Sequence, residues 1–451
     1  MTKETTINPS TSLLLTDLYQ LTMLQGYLRQ GMEGTAVFEF SVRDIPENRG
    51  FLMVAGLESV VRYLEEVRVT EEELDYLTRC GRFSREVVDY LGGFRFTGDV
   101  HAMPEGTVFF PQEPVIRVVA PLPQAQLLET RIMNLIHVQI LMTSKAARCV
   151  LAAGGKAGLI DFGVRRSHGA EAGIFAARSS YIAGFEGTST VLAEPLYGIP
   201  IFGTMAHSFV EAFASEQEAF IAFARANPRA TTLLIDTYDT LRGAARAVET
   251  ARILEKEGIK VNGVRLDSGD VEVLSKEVRK ILDEGGIENA RIFVSGHMDE
   301  MSIRDLLSRG APIGWFGVGT KLDTSADAPY LDCAYKLMEY GGKPRFKKSE
   351  GKETWPGRKQ VYRSFREGIM TEDLVTLEDG DAEGVPLLEP VMKGGRQSAP
   401  LPGLEQIRSR AKGQLASLPE HLRALESSPR YPVRISPLLR KLRKEMEEEL
   451  G

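Results

Sequence analysis

The chain has 451 residues, which is too long for one compact hydrophobic core, so we expect two or three domains. Its net charge of -7 argues against a nucleic-acid-binding protein, which would carry a basic stripe. The three cysteines form no C-x-x-C motif, which disfavours a zinc knuckle or a disulfide scaffold and fits a reducing cytosol. Residues 1–17 lack a signal-peptide pattern, and no apolar run reaches the roughly 18 residues that span a bilayer. We therefore expect a cytoplasmic protein that binds neither nucleic acid nor membrane.

The N-terminal part of the chain predicts a helix followed by a small α/β domain. Leucines recur at helical spacing from Leu18 to Leu28, and Thr16 is the predicted N-cap. Alternating strand patterns and short helices follow as far as the long helical stretch that begins near residue 124. We assign residues 1–30 to an N-terminal helix and residues 31–122 to an α/β sandwich domain.

The middle of the chain repeats one unit, an apolar strand that ends in Gly, Arg, Asp, Ser, Thr or His. Amphipathic helices separate most of these strands, and Asp270 and Asp299 are predicted N-caps of the last two helices. This alternation predicts a parallel sheet with right-handed crossovers. Seven strands approach the eight of a full barrel, so we expect an irregular, incomplete (β/α) barrel over residues 123–329. The predicted strands are 158–162, 184–187, 199–203, 232–236, 263–267, 291–295 and 314–317.

The pattern changes after the barrel. A strand over residues 330–338 and short strands within 362–375 could complete the sheet of the N-terminal domain, so we add residues 330–400 to the sandwich. Residues 401–451 are charged, and we expect them to form a helical C-terminal segment.

Arginines and aspartates follow two of the predicted strands, where the carboxyl ends of a parallel barrel form one rim. Arg165 and Arg166 come directly after the first strand, and two adjacent arginines favour a phosphate or carboxylate ligand. Alternation sends Arg265 and Asp267 to the same face of their strand. The arginine would bind an anion, and the aspartate would bind sugar hydroxyls or Mg²⁺. This pairing predicts a phosphorylated sugar as ligand, and the alternative is an ion pair in which the two side chains satisfy each other.

His207 follows an apolar segment that ends in small residues, and it precedes a predicted helix over 208–220. An imidazole at that rim could act as an acid, a base or a phosphate acceptor, and the alternative is a helix-capping or core histidine. Asp236 ends the next strand and could hold one ring nitrogen of His207, or it could cap the following helix. The last two strand ends carry Gly296 and the 317–320 glycine loop, which predict a phosphate site built from backbone N–H groups.

Five motifs, taken in order, resemble those of the nicotinate phosphoribosyltransferase family. The resemblance runs from about residue 13 to about residue 340. It implies a type II phosphoribosyltransferase fold and the reaction of nicotinate with phosphoribosyl pyrophosphate to give nicotinate mononucleotide and pyrophosphate. It further implies coupling to ATP hydrolysis, Mg²⁺ bound with pyrophosphate or ATP, and a homodimer with a shared active site. The motifs are LLTDLYQLT (14–22), DFGVRR (161–166), GTMAHSF (203–209), RLDSGD (265–270) and FGVGT (316–320).

The same resemblance implies roles for individual residues. His207 matches the histidine that is phosphorylated from ATP, and Asp236 matches the carboxylate that orients it. Tyr19, supplied across the dimer interface, and Phe162 match the aromatic residues that sandwich the pyridine ring. The remaining matches are Thr204, Arg165 and Arg265 around nicotinate and the ribosyl phosphate, Asp267 at the ribose, and Gly296, Gly319 and Thr320 at the 5′-phosphate.

Ser189 bears on the choice between acid and amide substrates. Relatives that use nicotinamide carry an aspartate at this position, which accepts from an amide but repels a carboxylate, whereas a serine can donate to a carboxylate. We therefore favour nicotinate over nicotinamide. A quinolinate phosphoribosyltransferase would need more basic residues and no His207, and a non-catalytic phosphosugar-binding regulator would need neither His207 nor Asp236, so the sequence disfavours both.

Overall fold

The computed structural model describes residues 7–349, 353–426 and 429–449. The chain divides into two compact units, Met1–Leu141 with Tyr330–Gly451, and Met142–Pro329. Our division into four parts stays a prediction. The helices of the described residues are α1 (Leu18–Arg29), α2 (Leu57–Glu66), α3 (Glu71–Cys80), α4 (Arg85–Gly92), α5 (Leu122–Leu127), α6 (Glu129–Ala153), α7 (Ala170–Ala183), α8 (Ala193–Tyr197), α9 (His207–Glu211), α10 (Glu216–Ala226), α11 (Thr240–Glu255), α12 (Val271–Glu284), α13 (Glu300–Ser308), α14 (Thr320–Asp323), α15 (Leu404–Ala416), α16 (Glu420–Arg423) and α17 (Pro437–Glu449), with one 3₁₀ turn at Val164–Arg166.

The strands form four sheets in the described residues. They are β1 (Thr35–Val42), β2 (Leu52–Met53), β3 (Asp99–Ala102), β4 (Val108–Phe109), β5 (Pro114–Pro121), β6 (Gly158–Asp161), β7 (Gly187–Thr188), β8 (Thr231–Leu234), β9 (Val261–Leu266), β10 (Arg291–Val294), β11 (Trp315–Val318), β12 (Cys333–Tyr340), β13 (Lys343–Pro344), β14 (Lys359–Arg366), β15 (Ile369–Leu377), β16 (Val385–Pro386), β17 (Glu389–Lys393), β18 (Arg396–Gln397) and β19 (Val433–Ile435).

The first unit contains a seven-stranded sheet in the order β13-β12-β1-β5-β3-β17-β18. The inner strand β1 of this sheet is mostly buried and pairs antiparallel with β5 on one side and β12 on the other. The segment after residue 330 therefore joins the N-terminal sheet, as predicted. The strands β14 and β15 do not join it, because they pair with β16 and β19 in a separate four-stranded sheet.

The C-terminal segment is not wholly helical. The β-branched residues Val433 and Ile435 lie in β19, which pairs parallel with β15. A strand of three residues is too short to show a period of two in the sequence, so the prediction of a helical segment over 401–451 was wrong at this point.

The second unit contains a six-stranded parallel sheet in the order β7-β6-β11-β10-β9-β8, which forms a half-barrel that is open between β7 and β8. Six of the seven predicted strands are in this sheet. The seventh, over 199–203, makes only an isolated bridge between Ile201 and Thr188. Pro200 has no N–H group to donate, and Ile201 and Phe202 stay about 40% exposed, so this segment does not extend the sheet.

Several predicted helix boundaries are confirmed. The side chains of Asp270 and Asp299 cap α12 and α13, as predicted. The predicted N-cap of α1 was wrong, because Asp17 holds that position without a side-chain cap. The predicted helix over 208–220 is interrupted, since α9 ends at Glu211 and Ser215 caps a new helix, α10.

Among the described residues, α6 is the one helix whose length and composition would suffice to cross a membrane. Within the protein, 72% of its most apolar 18-residue window is buried, as expected for a core helix. Its second half carries Lys145 and Arg148, and both pair with the buried carboxylate of Glu300 on α13.

Candidate active site

Two cavities adjoin at the carboxyl ends of the half-barrel strands in the second unit. They have volumes of about 310 Å³ and about 170 Å³. Phe162, Arg165, Arg265 and Asp267 line both cavities, so these four residues form a common wall. The first cavity also contains Ser189, Thr204 and His207, and the second contains Ser295, Gly296, His297, Gly319, Thr320 and Lys321.

Arg265 is the anchor of the common wall. It projects from β9, and its side chain is 13% exposed. Its guanidinium donates to Thr204 Oγ1 at 3.0 Å, to Ser295 Oγ at 2.8 Å and to Asp267 Oδ1 at 2.8 Å. The same group lies 5.5 Å from the centre of the Phe162 ring, which places a cation against the aromatic face. These contacts hold the guanidinium in one orientation between the two cavities.

Asp267 is the carboxylate of the common wall. Burial on its own would raise its pKa, but the hydrogen bond from Ser295 and the charge of Arg265 outweigh burial and lower the pKa. The carboxylate is therefore ionised at neutral pH, and its Oδ2 lies 3.9 Å from Nε2 of His207.

His207 is the first residue of α9, as its position after a predicted strand end implied. Its Nδ1 lies 3.2 Å from Thr237 Oγ1, and its side chain is 38% exposed. The predicted neighbour Asp236 makes other contacts, because its Oδ2 accepts from the backbone N–H of Asp267 at 2.8 Å and from Ser268 Oγ at 2.7 Å. Asp236 thus fixes the strand end that carries Asp267, and the carboxylate nearest the His207 ring is Asp267.

Gly296 lies where the chain needs a residue without a side chain. Its φ is +85°, and a Cβ at this position would lie 2.3 Å from the carbonyl oxygen of Asp267. The backbone of the loop thus runs directly against the neighbouring strand end. Gly319 and Thr320 line the same cavity from the end of β11. These residues therefore line the smaller cavity, and their part in binding a phosphate through backbone N–H groups stays a prediction.

Arg165 and Arg166 lie on the 3₁₀ turn that follows β6, and both side chains are exposed. Within the described part of the chain, neither guanidinium has a carboxylate partner. Both line the smaller cavity, where they add two unpaired positive charges. The cavity therefore favours an anion.

A buried pair of carboxyl groups lies next to this segment. Asp161 at the end of β6 and Asp323 at the end of α14 are both at most 1% exposed. Asp161 accepts from the N–H of Gly163 at 2.9 Å and from Thr188 Oγ1 at 2.7 Å, while Asp323 accepts from Ser167 Oγ. Burial raises the pKa of Asp161, and burial together with the charge of Asp161 raises the pKa of Asp323 to about 9.

The structure brings most of the predicted site residues together. The two cavities hold Phe162, Arg165, Ser189, Thr204, His207, Arg265, Asp267, Gly296, Gly319 and Thr320. Tyr19 belongs to the first unit, where it lies on α1 and is 47% exposed, so its part in the site stays a prediction.

Thr237 and Lys321 were missed as members of the site, although each adjoins a predicted one in the sequence, whereas Ser295 and His297 belong to a strand end that the sequence already placed at the rim. Thr237 follows Asp236 and contacts His207. Ser295 precedes Gly296 and bonds both Arg265 and Asp267. Lys321 follows Thr320, lines the smaller cavity and pairs with Asp299. His297 follows Gly296 and lines the same cavity. The signal in the sequence was that each of these polar residues directly neighbours a residue predicted at a strand end.

The combined site can hold a flat ring and a phosphorylated sugar side by side. Phe162 supplies an aromatic face, the arginines and the glycine loop supply anion contacts, and Asp267 is an ionised carboxylate between them. The fold and the site together are those expected of an α/β protein of the phosphosugar-transferring class, whose site lies at the carboxyl ends of parallel strands.

Comparison with known proteins gives the family. The profile of the nicotinate phosphoribosyltransferase family matches residues 157–353, and the profiles of that enzyme's N-terminal and C-terminal domains match residues 14–137 and 380–443. The chain belongs to the nicotinate phosphoribosyltransferase family. The C-terminal match extends the resemblance beyond residue 340, where the sequence motifs ended.

Individual relatives agree with this assignment. Nicotinate phosphoribosyltransferase pncB2 of Mycobacterium tuberculosis is 50% identical over 425 residues, which cover 94% of this chain and 91% of that protein. Nicotinate phosphoribosyltransferase of Bacillus subtilis is 40% identical over 360 residues, covering 78% of this chain and 72% of that protein. The crystal structure of human nicotinic acid phosphoribosyltransferase matches with a TM-score of 0.86 at 30% identity, covering 96% of this chain and 99% of the human one.

Proposed function

We propose that this protein is a nicotinate phosphoribosyltransferase. It transfers the ribosyl 5-phosphate group of phosphoribosyl pyrophosphate to nicotinate, giving nicotinate mononucleotide and pyrophosphate for NAD biosynthesis in the cytoplasm. The observation that carries the proposal is the common wall of Phe162, Arg165, Arg265 and Asp267 between the two cavities. Such a wall can hold a ring and a phosphosugar close enough to react.

The chemistry at this wall needs positioning more than base catalysis. The pyridine nitrogen of nicotinate has a free electron pair, which forms a bond to C1 of the ribose as the bond to pyrophosphate breaks. The ionised Asp267 stabilises the positive charge that develops on the sugar and accepts from its hydroxyls. Phe162 stacks on the pyridine ring, and Arg165 and Arg265 attract the carboxylate and phosphate groups of the two substrates.

The 5′-phosphate binds in the smaller cavity. Gly296, Gly319 and Thr320 donate backbone N–H groups, and Arg166 and Lys321 add positive charge at the rim. A phosphate bound there would leave the ribose beside Asp267 and the departing pyrophosphate toward the open side of the site.

Mg²⁺ would enter this site bound to a substrate of the enzyme. The described residues contain no group of three or more His, Cys, Asp or Glu side chains that could hold a metal ion, so a resident metal site does not fit. The ion would arrive bound to pyrophosphate or ATP oxygens, where it offsets their charge.

ATP coupling is assigned to His207. If Nδ1–H of His207 donates to Thr237 Oγ1, the electron pair of Nε2 is free to attack the γ-phosphorus of ATP, and the bond to the β-phosphate oxygen breaks to release ADP. Asp236 acts on His207 indirectly. Its carboxylate holds the backbone of Asp267, and the carboxylate of Asp267 faces Nε2 of His207. Phosphorylation beside the common wall would then strengthen binding of phosphoribosyl pyrophosphate.

The proposal is tested with nicotinate and phosphoribosyl pyrophosphate, each with and without ATP. Wild type should form nicotinate mononucleotide and should be stimulated by ATP. His207→Ala should keep a basal rate and lose the stimulation and the incorporation of phosphate from γ-labelled ATP. A wild type that forms no mononucleotide would refute the function. A His207→Ala protein that ATP still stimulates would refute the role of the histidine.

We propose that Ser189 binds the substrate carboxylate. It lines the larger cavity beside Phe162, and its hydroxyl can donate to nicotinate. Ser189→Asp places a negative charge beside the carboxylate of bound nicotinate. The repulsion between these two like charges costs several kcal/mol, so kcat/KM for nicotinate should fall about 100-fold or more. Ser189→Ala is the control and should lose about tenfold or less. Undiminished use of nicotinate by Ser189→Asp would show that another residue sets the specificity.

A homodimer with a shared site completes the proposal. At the start of α1, the side chains of Leu15, Leu18 and Tyr19 are about half exposed, as expected for a surface that a second copy covers. Tyr19 would stack on the pyridine ring across that interface. Tyr19→Ala and Arg265→Ala should each be nearly inactive, and co-expressing the two chains should restore activity because one site of each heterodimer has both side chains. Absence of restoration in purified heterodimers would refute the shared site.

A further inference from the structure

The buried carboxyl pair of Asp161 and Asp323 connects two segments that line the proposed site. Asp161 directly precedes Phe162, and Asp323 ends the short helix that begins at Thr320. The Asp323 carboxyl group packs so closely on the first segment that a Cβ at Gly163 would lie 1.9 Å from Asp323 Oδ1. Asp323 also accepts from Ser167, at the other end of the arginine turn. Both ends of the segment that carries Phe162 and Arg165 are therefore held by this pair.

Two ionised carboxylates cannot occupy this position. The groups that act on the pair are each other, Ser167, Thr188 and the N–H of Gly163, and none of these is a cation. Within the described part of the chain, no lysine, arginine or histidine forms an ion pair with either carboxylate. Two adjacent negative charges in a buried site repel each other strongly unless one group keeps its proton.

A shared proton also explains an unpartnered atom. Asp323 Oδ1 is buried and has no hydrogen-bond partner when both groups are treated as carboxylates. With a proton on Oδ1, Asp323 can donate to Asp161 while its Oδ2 still accepts from Ser167. Every buried oxygen of Asp323 is then satisfied.

We infer that Asp161 and Asp323 share one proton, and that this hydrogen bond positions Phe162 and Arg165 against the glycine loop of the phosphate cavity. The two aspartates are positioning residues, because neither lines the cavities. This role rests on the proposed function, in which Phe162 and Arg165 bind the pyridine substrate.

The first test compares Asp323→Asn with Asp323→Ala. An asparagine amide can donate to Asp161 and accept from Ser167 without a titratable proton, so kcat/KM for nicotinate at pH 7 should stay within about threefold of wild type. An alanine leaves Asp161 without its donor, and kcat/KM should fall about 30-fold or more. Equal losses in the two variants would overturn the inference, since the rescue by asparagine depends on the hydrogen bond.

The pH profile separates this role from a purely structural one. As the pH rises toward 9, wild type should lose kcat/KM for nicotinate, because Asp323 releases the proton that holds the segment. Asp323→Asn should keep its activity over the same range. An alkaline limb that is the same in wild type and Asp323→Asn would overturn the inference.

Unfolding gives a readout that does not depend on the enzymatic activity. A carboxyl group that stays protonated in the folded state and ionises on unfolding makes the protein less stable as the pH rises from its unfolded pKa to its folded pKa. Between pH 6 and pH 8 the unfolding constant of wild type should rise about tenfold per pH unit relative to that of Asp323→Asn. If the unfolding constants of the two proteins depended on pH in the same way, the shared proton would be refuted. This outcome does not depend on whether the proposed function is right.

Glu113→Gln is the matched control. Glu113 is fully buried in the first unit, and burial and the adjacent Asp373 raise its pKa. The glutamine variant should show the same change in the pH dependence of unfolding as Asp323→Asn, and it should leave kcat/KM and its alkaline limb as in wild type. A Glu113→Gln protein that also lost the alkaline limb would trace that limb to global stability and overturn the positioning role.

Discussion

Arg265→Lys is the most direct test of the common wall. Arginine at this position makes separate hydrogen bonds to Thr204, Ser295 and Asp267, and its flat guanidinium lies on Phe162. Lysine keeps the positive charge but is a point donor on a flexible stem, so it cannot reach the three partners in the same fixed orientation.

The structure sets the size of the effect. Lysine can keep the ion pair with Asp267, which leaves Thr204 and Ser295 without the guanidinium. Each hydrogen bond from a charged group is worth about 1.5 kcal/mol or more, so two lost bonds cost about 3 kcal/mol. If that cost falls on the transition state, kcat/KM decreases about 100-fold, since about 1.4 kcal/mol corresponds to a factor of ten.

The assay is steady-state formation of nicotinate mononucleotide with each substrate varied in turn. Because Arg265 lines both cavities, kcat/KM should fall for nicotinate and for phosphoribosyl pyrophosphate alike. Arg291→Lys is the matched control, because Arg291 also lies over an aromatic ring, that of Trp315, but lines neither of the two cavities. A decrease of less than about threefold in Arg265→Lys would refute the reasoning, as would a decrease confined to one substrate.

Three further predictions concern other parts of the molecule. Gly296→Ala should raise KM for phosphoribosyl pyrophosphate at least about tenfold. It should destabilise the protein by more than about 1–2 kcal/mol in urea unfolding, because the residue has φ of +85° and an added Cβ would also lie 2.3 Å from the carbonyl oxygen of Asp267. An unchanged KM would show that the loop does not form the phosphate site. His137 Nε2 accepts from the N–H of Leu331 at 2.9 Å, and burial lowers the pKa of His137, so its contribution to stability should be full above the unfolded pKa of about 6.5 and should be lost as the pH drops below that value. In urea unfolding at pH 7.5 and pH 5.5, His137→Gln should lose less stability between the two pH values than wild type does. An equal loss in the two proteins would contradict the assignment. Asp373→Ala should lower the free energy of unfolding by about 3–5 kcal/mol in the same measurement, because it removes the carboxylate that pairs with the fully buried Arg363. A decrease of less than about 1 kcal/mol would refute that estimate.

The parts of the fold that depend on local chemistry could be predicted from the sequence. Asp270 and Asp299 precede amphipathic runs, and each caps its helix as the pattern indicated. The polar residues after β6, β9 and β11 lie at one rim because all parallel strands have the same direction, which an alternating βα pattern already implies.

Other features depend on contacts between distant segments. The apolar segment around Ile201 has the composition of a strand, but its neighbours in space allow it only one bridge. Asp236 follows a strand that lies beside the one carrying Asp267, and the backbone N–H of Asp267 is nearer to it than the ring of His207. The pairing of Asp161 with Asp323 joins residues from opposite ends of the half-barrel sequence, and no local period encodes it.

The wall that the two cavities have in common offers a route by which their ligands can be thermodynamically linked. If occupancy of one cavity shifts Arg265 or Phe162, the affinity of the other cavity changes, and reciprocity requires the same factor in both directions. The two binding steps of this protein would then form a closed cycle, in which a single coupling energy describes the effect of each ligand on the other. The affinity of each substrate, measured with and without the other, gives that energy directly.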